Sequence, residues 1–163
     1  MVTIESLGAD HEVLARLEPT DGASLCRFFH RLSPESIYRR FLVPIHRPDQ
    51  LPVDRLLNLD GVDREAVAGV VDGEIVGVAR FARVADSDTA EIAVVVADAW
   101  QGQGMGTRLL AALGQRATDA GIRRFEMVLQ PDNQRFLSLA RRSYPDFRPA
   151  LRGGYLEATV SVA

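Results

Sequence analysis

The spacing of hydrophobic positions changes several times along the chain, and each change marks an element. Residues 2–7 and 12–17 alternate weakly around Gly8-Ala9-Asp10, which predicts a hairpin. Pro19-Thr20-Asp21 follows, with Thr20 or Asp21 suited to cap a helix over residues 23–32. That helix carries Leu25, Phe28, Phe29 and Leu32 on one face. Ser33-Pro34-Glu35 opens a second helix, with serine at the cap and proline at the first position; Ile37, Tyr38, Phe41 and Leu42 form its apolar side. A proline-containing loop covers 44–52, and a short helix is expected over 53–59. Three strand-like runs come next, at 64–71, 74–84 and 90–97. Asp72-Gly73 is a strong hairpin signal between the first two, so the three read as an antiparallel meander.

The stretch from residue 89 to 120 organises the rest. An apolar, β-branched run from Ile92 to Ala97 leads into a loop with three glycines, Gly102, Gly104 and Gly106. Met105, Leu109, Leu110, Leu113 and Ala117 then recur at helical spacing, and Gly121 suits the helix end. A strand–glycine loop–helix unit converges backbone N–H groups at the helix start, where the dipole favours negative charge. Glycine lets that backbone approach an anion without a Cβ in the way. Residues 123–129 form a further strand, which a crossover helix should place parallel to the third strand of the meander. Pro131-Asp132-Asn133 opens a last helix to about Arg142, Pro145 to Arg148 break it, and residues 152–162 close the chain as one strand. The sum is a mixed α/β chain, expected to form a single domain over 1–163.

Composition narrows the function. A net charge of −3 argues against a general nucleic-acid or membrane-surface binder. No uninterrupted apolar stretch approaches the ~18 residues of a membrane span, and the N-terminus lacks a cationic-then-apolar signal pattern. The one cysteine, Cys26, reads as a buried small hydrophobe and suits a reducing compartment, so a cytoplasmic location is expected. His11, His30 and His46 lack carboxylate or cysteine neighbours at ligand spacing, so no metal is expected. Arg39-Arg40 and Arg141-Arg142 read as solvated helix faces, and Trp100 as a packing residue over the glycine loop.

The glycine loop discriminates among phosphate binders. It lacks the Gly-Lys-Ser/Thr ending of a Walker loop. Its G-x-G-x-G spacing departs from the dinucleotide fingerprint, although Glu126 stands about 20 residues on, as that fingerprint requires. Gln101-Gly102-Gln103-Gly104-Met105-Gly106 fits Q/R-x-x-G-x-G/A and resembles the acetyl-CoA loop of the GCN5-related N-acetyltransferases (GNAT). The order of elements matches that fold over essentially the whole chain. LSPESIYRRF (32–41) and AEIAVVVADAWQGQGMG (90–106) resemble bacterial protein lysine acetyltransferases, including actinobacterial ones fused to a cyclic-nucleotide-binding domain. Room for the catalytic part alone makes direct cyclic-nucleotide control of this chain unexpected.

The resemblance implies a mostly antiparallel sheet flanked by helices, with a splayed parallel strand pair. Acetyl-CoA would serve as co-substrate. Its pantetheine arm would lie on the backbone of Val94 and Val96, and its pyrophosphate on the amides of Gln101, Gly102, Gln103, Gly104, Met105, Gly106 and Thr107. Asn133 would hydrogen-bond the pantetheine, though a plain N-cap explains it equally. Glu91 would be the general base toward a primary amine, with a protein lysine as the leading acceptor. The alternatives are a small-molecule amine and a non-catalytic CoA-binding module. A lysine of pKa ~10.4 costs about 4.6 kcal/mol to hold neutral at pH 7, which is why a carboxylate is wanted there. Glu126 and Asp98 are the next candidates. The family often has a tyrosine acid seven residues after the asparagine; here that position is Ala140, and Tyr144 lies one helical turn further on. Oligomeric state is left open, a homodimer included.

Overall fold

The structure is a computed structural model and describes residues 12–162. The first strand of the expected N-terminal hairpin and its turn lie outside the described residues; the second strand is β1, Val13–Arg16. Helices α1 (Gly22–His30), α2 (Pro34–Phe41) and α3 (Val53–Leu56) follow. The meander is β2 (Arg64–Val71), β3 (Glu74–Arg83) and β4 (Thr89–Val96). Helix α4 spans Met105–Asp119, β5 Arg124–Leu129 and α5 Gln134–Ser143. The chain closes with two strands rather than the one expected, β6 (Ala150–Arg152) and β7 (Tyr155–Ser161). Gly153 and Gly154, at φ +57° and +85°, make the tight turn that folds the segment back on itself.

Local chemistry explains most boundaries. Asp72 and Gly73 both have positive φ, the two-residue turn whose twist matches that of the flanking strands. Ser33 Oγ accepts from the Ser36 amide at 3.1 Å and caps α2. Asp21 precedes α1 but does not cap it with its side chain; its Oδ2 instead accepts from the Glu18 amide at 2.8 Å. Leu42, at φ +60°, ends α2, whose Ile37 and Phe41 pack inward while Tyr38 faces solvent. Cys26 is half-buried on α1, less enclosed than its apolar neighbours suggest.

Among the described residues, seven strands form one sheet in the order β1-β2-β3-β4-β5-β7-β6. Every pairing is antiparallel except β4–β5. Strand alternation builds a core on each face. Val67, Ala79, Phe81 and Phe125 meet α4 and α5 on one side. Ala66, Ala68, Val78 and Val95 meet α1 and α3 on the other. The five apolar residues expected to face inward from α4 are all buried.

Two strand glycines seat the start of α4. A Cβ on Gly69 would overlap the Met105 sulfur, and one on Gly77 would lie 2.9 Å from Leu109 Cδ1 and 3.4 Å from the Val95 carbonyl oxygen. The missing side chains let the first turns of the helix press onto β2 and β3. Overpacking of this kind costs ~1–3 kcal/mol, or roughly 2–12 °C in Tm for a chain of this size. Gly77→Val should therefore lower Tm by that amount in a thermal melt, and combining it with Leu109→Ala should cost less than the sum of the two single losses.

Candidate active site

The parallel ladder between β4 and β5 is short. It pairs Thr89 with Arg124, Ala90 with Phe125 and Glu91 with Glu126, and then stops, although β4 stays paired to β3 as far as Val96. Beyond Glu91 the two strands part. The Ala97 amide donates to Val76 on the β3 side at 2.8 Å, so by strand alternation the N–H and C=O groups of Ile92, Val94 and Val96 point toward the gap. A cleft of about 1160 Å³ opens there.

The glycine loop and the start of α4 border the cleft. Gly102 and Gly104 have φ of +74° and +82°, a conformation that disfavours any side chain. The first helical bond in α4 runs from the Arg108 amide to the Gly104 carbonyl at 3.1 Å. The amides of Gly102, Gln103, Gly104, Met105, Gly106 and Thr107 have no acceptor among the described residues. Gly106 has a second, structural reason to be glycine. Its Cβ would meet Leu139 Cδ2 at 2.9 Å, so it marks where α4 and α5 touch.

The two glutamines have their own structural work. Gln101 Nε2 donates to the Val96 carbonyl at 2.9 Å and approaches Ser36 Oγ at 3.4 Å, fastening the loop to β4 and α2. Gln103 Nε2 donates to the Ala99 carbonyl at 2.9 Å, and its own carbonyl accepts from Arg108. The side chain of Met105 is buried, so only its backbone faces the cleft. Of the site residues read from the sequence, all but Gln103 line the cleft.

Glu91 sits at the fork where the strands part. Its carboxylate is exposed to the cleft and forms no hydrogen bond or ion pair among the described residues. Glu126, its register partner on β5, shares that face. Two carboxylates side by side form a local negative patch suited to an ammonium group. Asp98 is otherwise occupied. Burial works against its ionisation, but hydrogen bonds from Ser33 and Ser36 outweigh it and hold the carboxyl below its usual value. Asn133 Oδ1 caps α5 by accepting from the Phe136 amide at 3.2 Å, while its Nδ2 has no acceptor among the described residues.

Tyr144 is not at the site. Its ring packs edge-on against Phe125 at 6.4 Å, burial pushes its phenol well up, and its hydroxyl has no partner among the described residues. Ala140 is wholly buried. The hydroxyl that α5 does present to the cleft is that of Ser138, which the sequence did not single out.

The arginines also depart from expectation. Arg39 is no solvated helix face: it holds Gln130 and Asp132, each at 2.6 Å, and so ties α2 to the loop before α5. That contact holds the Asp132 carboxyl below its usual value. Arg40 and Arg142 line the cleft. Trp100 packs against both cores, as a residue over the loop should.

Residues 33–144 match the acetyltransferase (GNAT) family. The chain belongs to the GNAT acetyltransferases. It is 33% identical over 130 residues to the acetyltransferase PA5475 of Pseudomonas aeruginosa, covering 77% of this chain and 70% of that protein. The GNAT domain of S. lividans PAT superposes with a TM-score of 0.85 at 28% identity, covering 92% of this chain and 90% of the other. The yncA structure from Salmonella typhimurium, determined with acetyl-CoA, has a TM-score of 0.71 at 16% identity, covering 93% and 94%, and shares the fold. Among the described residues of this acetyltransferase, no helix is long and apolar enough to cross a membrane. No group of three or more His, Cys, Asp or Glu side chains among them is placed to hold a metal ion.

The placement of Tyr144 gives a direct test. A buried hydroxyl without a partner costs ~1–3 kcal/mol. Tyr144→Phe should therefore leave acetyltransferase turnover unchanged and raise Tm, read by thermal melt and initial rates. A loss of turnover would return the hydroxyl to the chemistry.

Proposed function

We propose that this GNAT acetyltransferase moves an acetyl group from acetyl-CoA to a primary amine, with the side chain of a protein lysine as the leading acceptor. The observation that carries the reading is the row of six unpartnered amides, Gly102 to Thr107, at the start of α4 beside the unpaired edge of β4. Converging N–H groups at a helix N-terminus suit a pyrophosphate. The edge groups of Val94 and Val96 suit the amide-bearing pantetheine arm, with the Val96 carbonyl already taken by Gln101. Asn133 Nδ2 is a further donor on the opposite wall. Acetyl-CoA supplies the activated acetyl thioester.

The remaining work belongs to the carboxylates at the fork. The amine arrives as an ammonium ion, and Glu91, with Glu126 beside it, attracts that charge. Glu91 then takes the proton, directly or through one water, and the neutral nitrogen forms the amide bond as the carbon–sulfur bond breaks. The thiolate needs no dedicated acid, because a thiol of pKa ~8.5 is a tolerable leaving group near neutral pH. That suits a chain in which Ala140 and Tyr144 are both enclosed. A protein lysine is favoured over a small amine by the resemblance of LSPESIYRRF and AEIAVVVADAWQGQGMG to bacterial protein lysine acetyltransferases.

Two substitutions separate binding from chemistry. Gly104→Val places a β-branched side chain at φ +82°, so calorimetry should show acetyl-CoA binding abolished. Retained affinity would remove the loop from the coenzyme site. Glu91→Gln should keep acetyl-CoA affinity while turnover falls by ~10²–10⁴, with the deficit shrinking as pH rises and solvent deprotonates more of the amine. Full activity of a folded Glu91→Gln at neutral pH, with chemistry rate-limiting, would pass the role to Glu126.

A further inference from the structure

Three arginines line the cleft on the Glu91 face of the sheet. Arg80 projects from β3 on the same face as Glu91: in the sheet register it stands beside Ala93, and Ala82, two residues on, stands beside Glu91. Arg40 from α2 and Arg55 from α3 line the same cleft. None of the three has a carboxylate partner among the described residues, and Arg80 Nε is buried with no acceptor. Several neighbouring arginines do find carboxylates, Arg39 with Asp132, Arg64 with Asp60, Arg83 with Asp63 and Arg116 with Glu65, while Arg123, Arg135, Arg141, Arg142 and Arg148 form no ion pair among the described residues. The nearby carboxylates do not fill the gap. Asp132 serves Arg39, Asp98 serves Ser33 and Ser36, and Glu91 and Glu126 form no ion pair with these arginines.

The cluster is electrostatically unfavourable as it stands. Burial pushes the Arg40 guanidinium down to about 10, and the charges of Arg80 and Arg55 push in the same direction. Arg80 is lowered by burial and then by Arg55 and Arg64. Like charges held together, two of them half-buried and one exposed at the rim, without a carboxylate counterion among the described residues, suit an anion, because guanidinium forks bind carboxylates and phosphates through paired hydrogen bonds.

We infer that Arg40, Arg55 and Arg80 bind an anionic group, a carboxylate or a phosphate, carried by the acceptor amine itself. The acceptor is then bipolar. Its ammonium end lies at Glu91 and Glu126, and its anionic end lies on the three guanidiniums. This deepens the acetyl-transfer reading and rests on it. Two sources share the chemistry: a free amino acid, or a lysine flanked by an acidic side chain.

The test is a set of matched acceptors, followed by release of free thiol from acetyl-CoA. One pair is a lysine peptide with flanking glutamates and its glutamine twin; the other is a panel of free amino acids and their carboxamides. The anionic member should have at least a roughly tenfold higher kcat/KM, as expected for a charge-assisted hydrogen-bond pair. Which pair shows the preference tells peptide from free amino acid. Arg55→Glu is the first variant, since Arg55 is exposed and has no ion pair to lose; Arg80→Gln is the second. In each, with folding checked by Tm, the ratio of anionic to neutral kcat/KM should fall to near one. Equal kcat/KM for both twins in the native chain, or an unchanged ratio in both variants, overturns the anion site while leaving acetyl transfer standing. Turnover of no acceptor would instead sink the acetyl-transfer reading. The anion site is then read from the Tm of the acetyl-CoA-saturated chain with added sulfate. A shift in the native chain that Arg55→Glu lacks supports the site, and equal shifts overturn it.

Discussion

The ladder between β4 and β5 ends after three residue pairs, and the rest of the site follows from that interruption. A strand in mid-sheet normally satisfies its backbone on both sides. Here β4 is bound to β3 along its length but to β5 only at its beginning, so a run of amide and carbonyl groups is left facing a gap. The chain tolerates this because the gap is open to solvent and flanked by elements that do not collapse into it. On one side α2 is moored to the loop before α5 through Arg39. On the other, α4 is pressed onto Gly69 and Gly77 and cannot slide across. Glu91 falls on the last paired position, so the point where pairing fails is also where a carboxylate is presented.

Much of this frame was legible from residue patterns, because it depends on local rules. Asp72-Gly73 can hardly be anything but a hairpin turn, the spacing from Met105 to Ala117 admits one face, and a strand after a crossover helix has a preferred direction. The structure departs from these patterns where two local signals compete or a distant partner intervenes. The alternation over 152–162 runs on through Gly153-Gly154, but paired glycines at positive φ make a turn. Tyr144 directly follows α5, but Phe125, from β5, draws its ring into the core. Ser138, on the opposite side of the same helix, carries no motif to announce it.

The arginines show a deeper limit. Adjacent Arg39 and Arg40 look alike in sequence and have different fates, one in a network of oxygen acceptors and the other beside two more cations. Positions 40, 55 and 80 meet only because α2, α3 and β3 cover the same patch of sheet. No spacing rule connects them. The separation of charge within the cleft, carboxylates on β4 and β5 and guanidiniums from β3, α2 and α3 beside them, is a property of the assembled sheet.

The row of unpartnered amides from Gly102 to Thr107 has a consequence for how the molecule reports on itself. Backbone protons held by carbonyls trade with solvent slowly, whereas those without an acceptor trade quickly. In this chain the boundary between the two falls within a single turn, at the bond from Arg108 to the Gly104 carbonyl. Deuterium should enter those six positions well before it enters the body of α4. An anion seated on them would erase the contrast and leave the neighbouring helix unchanged, so occupancy could be followed by isotope exchange without a label.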